Sequence, residues 1–257
     1  MRKLMLTTGL LVAALPLAAQ DYRFTKEMRS GDRLAIENIN GPITVTQGTG
    51  RTMSVMVTKT VKRGDGNLVK AIMEETGGTV RVCTIYLNRD PNRSTCRGDN
   101  SVSQRRGDRF EVEMSYEVRV PSGVALEVES VNGNVSVRGV DTPASVETVN
   151  GTIDFDGAGA HNLETVNGRV TASFTRADWT GTVSIETVNG AVSLTLPSNL
   201  SAELRGETVN GAIDVGDFQV TVSGRWGPKE FRGTVGGGGS RVISIETVNG
   251  SITLKKQ

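Results

Sequence analysis

Acid–base chemistry in this chain would have to start from Asp154 and Asp156, two carboxylates that share one face of any extended segment. Paired acids flanking a sugar linkage are how glycosidases work. Their counterparts in the repeats described below are ordinary, however. Thr44, Ser136, Thr171, Ser193, Asp214 and Thr253 match the first, while Thr46, Arg138, Ser173, Thr195, Gly216 and Lys255 match the second. Mixed polar columns of this kind describe a solvated face. His161, the single histidine, sits in a Gly-Ala-Gly-Ala-His-Asn connector and reads as a turn residue. The run Gly236–Gly239 lacks the Gly-Lys-Ser/Thr that a phosphate-cradling loop needs. Trp179 and Trp226 stand in connectors, either as platforms for sugar rings or as caps on the core ends. No catalytic residue and no cofactor are expected.

Three other groups have spacing that carries meaning. Cys83 and Cys96 are 13 residues apart without a Cys-x-x-Cys pattern, so in an oxidising compartment they are expected to pair. Between Asn88 and Arg109 lie Arg89, Arg93, Arg97, Arg105, Arg106 and Arg109 against three aspartates, an interaction loop for an anionic polymer or simply a solvated one. The third group is a set of glutamates, Glu147, Glu164, Glu186 and Glu207, each opening a five-residue phrase.

That phrase organises the chain. It appears as Glu37-Asn-Ile-Asn-Gly41, as Glu129-Ser-Val-Asn-Gly133, and as Glu-Thr-Val-Asn-Gly from Glu147, Glu164, Glu186, Glu207 and Glu246, at intervals of 92, 18, 17, 22, 21 and 39 residues. An apolar residue precedes most copies, with Gly206 the exception, and apolar residues recur six and eight positions after each glutamate. Each unit reads as strand, Asn-Gly turn, strand. Asn-Gly turns also suit an antiparallel meander, but a meander gains nothing from verbatim repetition. The expected fold is all-β, a parallel β-solenoid of about 17–22-residue coils, with residues 51–119 as an irregular insertion and 120–257 as regular repeats. A degenerate copy is expected near Val220 to Val235. Asn132, Asn150, Asn167, Asn189, Asn210 and Asn249 should form a ladder at one corner, each followed by a glycine at φ > 0. Stacked glutamates about 4.8 Å apart would repel by roughly 0.9 kcal/mol per pair at the dielectric of water. Either hydrogen bonds and arginines such as Arg169 and Arg205 compensate, or the row is a cation-binding stripe.

Composition agrees with short strands and many turns: 31 glycines in 257 residues, but 6 Phe, 3 Tyr and 2 Trp. Lys+Arg 29 against Asp+Glu 28 supplies no field to recruit nucleic acid. Residues 1–20 carry the signature of a secretory signal. Arg2 and Lys3 precede an apolar stretch from Leu4 to Leu17, and Ala18 and Ala19 offer a cleavage site. The stretch is too short to span a bilayer. Residues 21–257 are expected to form one exported domain, periplasmic, cell-surface or extracellular, without a transmembrane segment.

The Glu-Thr-Val-Asn-Gly array, the phrase Val118-Arg-Val-Pro-Ser-Gly-Val-Ala-Leu126 leading into it, and Gly224-Arg-Trp-Gly-Pro228 with Gly236–Gly239 before the last copy resemble the bacterial candidate-adhesin family catalogued as domain of unknown function 4097. The resemblance runs from about Arg33 to Lys255. It implies an exported repetitive β-protein with a role in adhesion, and it offers no catalytic residues to carry over. The expectation is a non-catalytic module that binds an envelope polymer, a glycan or a surface protein. The alternative is a carbohydrate-active enzyme of β-helix type, a lyase or hydrolase.

Overall fold

The computed structural model describes residues 19–87, 95–96, 111–224 and 227–257. Residues 1–18, most of the expected signal segment, the arginines Arg89, Arg93, Arg97, Arg105, Arg106 and Arg109, and Trp226 lie outside the described residues. The chain runs through β1 (Ala19–Glu27), β2 (Arg33–Asn40), β3 (Ile43–Gln47), β4 (Thr52–Arg63), β5 (Val69–Thr76), β6 (Thr79–Tyr86) and β7 (Glu111–Val120). The repeats supply β8 (Ala125–Asn132), β9 (Val135–Val140), β10 (Ala144–Asn150), β11 (Ile153–Gly157), β12 (Ala160–Asn167) and β13 (Val170–Phe174). Next come β14 (Thr182–Asn189), β15 (Val192–Leu196), β16 (Ala202–Asn210) and β17 (Ile213–Asp214). The chain finishes with β18 (Thr221–Ser223), β19 (Lys229–Val235), β20 (Val242–Asn249) and β21 (Ile252–Lys256). One 3-10 turn at Gly66–Leu68 is the only helical element among the described residues.

The fold is all-β, with two open sheets and no closed barrel. One sheet has the order β1-β4-β7-β3-β9-β11-β13-β15-β21-β17, and the other β18-β19-β16-β20-β14-β12-β10-β8-β2-β6-β5. Each repeat gives its Glu-Thr-Val-Asn strand to the second sheet, turns at Asn-Gly, and gives its next strand to the first. Neighbouring repeat strands pair in parallel with equivalent residues opposed, as Glu147 with Glu164 and Ile153 with Val170. The alternation seen in the sequence places Val146, Leu163, Ile185 and Ile245 on the inner face of the second sheet. Ile153, Val170, Val192 and Ile252 point inward from the first, and all eight are at most 1% exposed. These facing rows are the core, and its burial is the main driving force for stacking.

Neither end of the stack follows chain order. The last repeat, β20–β21, lies between β14–β15 and β16–β17. At the other end β2–β3 lies between β8–β9 and the later pair β6–β7. The described residues between 51 and 119 are therefore built into both sheets: β6 and β7 pair in parallel with the first repeat, while β4, β1 and β5 close the edges as antiparallel strands. The segment around Val220 to Val235 is not a further parallel copy. It forms an antiparallel hairpin, β18–β19, laid against β16. Gly206 is explained by that hairpin, because a Cβ there would come within 2.5 Å of the Phe231 ring, which fills the missing side chain's space.

Trp179, in the connector from β13 to β14, is buried among interior layers rather than at an end of the stack. It lies beside Phe174, which meets Phe155 edge-on; ring centroids are 5.5 and 5.9 Å apart. At the end of the stack closed by β4 and β5, Lys59 is buried and donates to the carbonyls of Gly66 and Val69 at 2.9 and 3.3 Å, with its ammonium 5.8 Å from the Tyr22 ring centre. Burial, followed by repulsion from Lys70, holds its pKa below the usual lysine value.

Candidate functional site

Each letter of the repeated phrase has its own physical task. The threonine points inward: Thr148, Thr165, Thr187, Thr208 and Thr247 are buried, and each hydroxyl donates to a glycine carbonyl of the neighbouring repeat at 2.8–3.2 Å. The asparagines stand in one file at the turn. Asn150 donates its side-chain amide to Asn132, Asn167 to Asn150, Asn189 to Asn167, Asn249 to Asn189 and Asn210 to Asn249, at 2.8–2.9 Å. The glycines pack backbone on backbone. A Cβ on Gly168 would sit 1.8 Å from the Gly151 carbonyl oxygen, and one on Gly190 1.7 Å from that of Gly168.

This corrects the reason given for those glycines. Positive φ occurs at Gly41 but not at Gly133, Gly151, Gly168, Gly190, Gly211 or Gly250. Close approach between layers, rather than left-handed backbone, excludes a side chain.

The first repeat departs from the phrase where its neighbour lacks an Asn-Gly turn. Asn38 replaces threonine, and its longer amide donates both to Gly41 O at 2.9 Å and to Met114 O at 2.8 Å. Its Oδ1 accepts from Thr84, whose hydroxyl lies 2.7 Å from the buried Tyr116 hydroxyl. Burial drives the Tyr116 phenol well above its ordinary pKa. The asparagine file ends on backbone, with Asn40 Nδ2 donating to Val112 O at 2.8 Å.

Glutamate and valine, two positions apart, point outward from the second sheet. The glutamates form the row Glu37, Glu129, Glu147, Glu164, Glu186, Glu246, Glu207. Glu186 and Glu207 are thus not adjacent as the order of the repeats implies, because Glu246 stands between them. Arg81 pairs with Glu37, Asn162 donates to Glu147 at 3.0 Å, and Ser184 to Glu186 at 2.7 Å. Arg205 bonds Ser244 rather than a glutamate. Burial, then repulsion from Glu37, Glu127 and Glu147, holds the Glu129 carboxyl above the usual range. Among the described residues no group of three or more His, Cys, Asp or Glu is arranged to hold a metal ion.

Beside this row runs a second, apolar one. Val131, Val149, Val188 and Val248 are each 40% exposed and Val209 41%. Their parity was the available signal: a residue two positions after an outward glutamate must also face outward. Together the rows line a shallow groove of about 370 Å³ between Glu37 and Val166. Where β6 continues the face, it is covered instead. Cys83 opposes Glu37 and is disulfide-bonded to Cys96 with Cα atoms 5.6 Å apart; both, with Ile85, are buried.

The remaining candidates are scattered. Asp154 faces solvent on β11 of the first sheet, while His161 is not a turn residue but an exposed strand residue on β12 of the second. Among the described residues no helix is long and apolar enough to cross a membrane.

The family described as Toastrack DUF4097 matches residues 89–255. No curated protein matches the chain. Among solved structures, the chain is similar to a candidate cell adhesion protein from Clostridium sporogenes, at 12% identity and a TM-score of 0.49, covering 93% of this chain and 100% of that one. A candidate adhesin from Bacteroides fragilis is 11% identical, with a TM-score of 0.31 and coverage of 93% and 97%. One from Parabacteroides merdae is 13% identical, with a TM-score of 0.24 and coverage of 93% and 96%.

Proposed function

Because this chain belongs to the Toastrack DUF4097 family, we propose that it is an exported, non-catalytic, adhesin-like module that binds a component of the cell envelope. We read its paired sheets as the two faces of a flattened solenoid, one strand-turn-strand repeat per layer. The recognition surface in this reading is the outer face of the second sheet. The observation that carries it is the row of outward valines beside the glutamates. Scattered exposed apolar residues are normal on any protein, whereas a contiguous apolar stripe with a polar border marks a contact surface. Threonine would serve an exposed strand position equally well. The leader signature and the Cys83–Cys96 disulfide support an oxidising compartment outside the cytoplasm.

The test is binding of the purified mature chain to an array of envelope polymers, glycans and surface proteins. Retention on at least one class, lost when Val149 and Val188 are replaced by serine, supports the reading. Uniform absence of binding rejects it.

A further inference from the structure

The chain repeats the dipeptide most prone to self-modification, Asn-Gly, at each turn. In that reaction the glycine amide nitrogen loses its proton and attacks the asparagine Cγ. The N–Cγ bond forms, the Cγ–Nδ2 bond breaks, and nitrogen leaves as ammonia. Water then opens the resulting cyclic imide to aspartate or isoaspartate. Nothing is oxidised or reduced. Glycine favours the step because no side chain obstructs the approach.

Stacking blocks this chemistry by occupying the nucleophile. The amides of Gly41, Gly133, Gly151, Gly168, Gly190 and Gly250 each donate to the asparagine carbonyl of the adjoining layer, at 2.8–3.2 Å. An amide held in such a bond must give it up before it can turn toward its own side chain. Gly211 is the exception. It belongs to the layer beyond which no further Asn-Gly turn stacks, and its amide has no hydrogen-bond acceptor among the described residues. The side chain of Asn210 is also tied at one end only: its Nδ2 donates to Asn249 at 2.9 Å, while no neighbouring asparagine donates to its Oδ1. Asn210 is exposed, so water can reach the imide. Lys229 donates to Gly211 O at 2.7 Å, a bond to the carbonyl of the following peptide that leaves the reacting Gly211 amide nitrogen unengaged.

The geometry points to Asn210–Gly211 as the site of spontaneous, structure-directed deamidation in the folded protein. The other Asn-Gly pairs are protected by their place inside the stack. The product carries a new carboxylate, and as isoaspartate a lengthened backbone, at the end of the asparagine file.

The experiment incubates the folded mature chain at mildly alkaline pH and follows each Asn-Gly peptide by mass spectrometry, with a parallel incubation in denaturant. Folded protein should convert Asn210 about tenfold faster than any other Asn-Gly asparagine, a difference equivalent to about 1.4 kcal/mol in the barrier. Denaturant should bring all seven rates together. Equal rates in the folded chain, a faster site elsewhere in the file, or an Asn210 excess that persists in denaturant would each overturn the assignment.

Discussion

Asn249 donates its side-chain amide to Asn189 at 2.8 Å across 60 residues of sequence, although Asn210 is the next asparagine of the phrase after Asn189. The last repeat has entered the stack as an inner layer. Its Ile245 and Ile252 are completely buried.

Terminal units of repeat proteins contact only one neighbour, whereas an inner unit is held on both sides. Here deletion of residues 241–257 removes a layer held on both sides, leaving β16 and β19 without their support. We expect that truncation to abolish cooperative unfolding of the repeat region. Hydrogen exchange gives a test without truncation: amides of β20 should exchange as slowly as those of β12, and faster, end-like exchange would contradict the insertion.

Gly168→Ala and Gly181→Ala separate the two uses of glycine. At Gly168 a Cβ meets the Gly151 carbonyl oxygen at 1.8 Å, so the layers must part, costing about 3 kcal/mol or more. Gly181 has φ +84° with nothing within 4 Å, so alanine there costs only the left-handed strain of about 1–2 kcal/mol. Denaturant midpoints of the two variants check the order.

Thr165→Val keeps the shape and removes one hydroxyl from an interior file. It leaves the partly buried Gly151 carbonyl without the bond it receives at 3.0 Å. The expected loss is about 1–3 kcal/mol. Asn167→Ala breaks two exposed side-chain bonds and should cost about 1–2 kcal/mol, read by thermal unfolding.

Much of this was legible in the sequence. The verbatim phrase and the alternation around it identify strand, turn and strand, and the high glycine content agrees with all-β structure. Layer order was not legible, because identical phrases are interchangeable partners: nothing in Glu207 or Glu246 says which should follow Glu186. The 39-residue interval looked like a missing copy, yet it holds a hairpin whose Phe231 fits the gap at Gly206. Nor does sequence separate a glycine needed for φ > 0 from one needed for close approach. The valine row is readable from parity alone, since each valine stands two positions after an outward glutamate.

The glutamate row makes a pH prediction. The Glu129 carboxyl is raised in the folded state by burial and by neighbouring glutamates. Its ionisation therefore opposes folding: the penalty is absent below the unfolded carboxylate pKa and grows as pH rises through the folded one. Glu129→Gln should stabilise the protein at neutral pH by a few tenths of a kcal/mol, about 0.3–0.5 after solvent screening, and have no effect in acid. Calcium and sodium chloride at matched ionic strength should shift the melting temperature equally, because screening alone relieves the row. An extra rise with calcium, abolished by glutamine at Glu147, Glu164, Glu186 and Glu207, would show a cation stripe instead.

The most direct test of the account compares the two outer faces on one bound envelope component. Val149→Ser with Val188→Ser alters the valine row, and Thr171→Ala with Ser193→Ala alters the opposite sheet. The account predicts at least tenfold weaker binding for the first pair, about 1.4 kcal/mol, and unchanged binding for the second. Loss of binding only in the second pair, with both proteins folded, would contradict it.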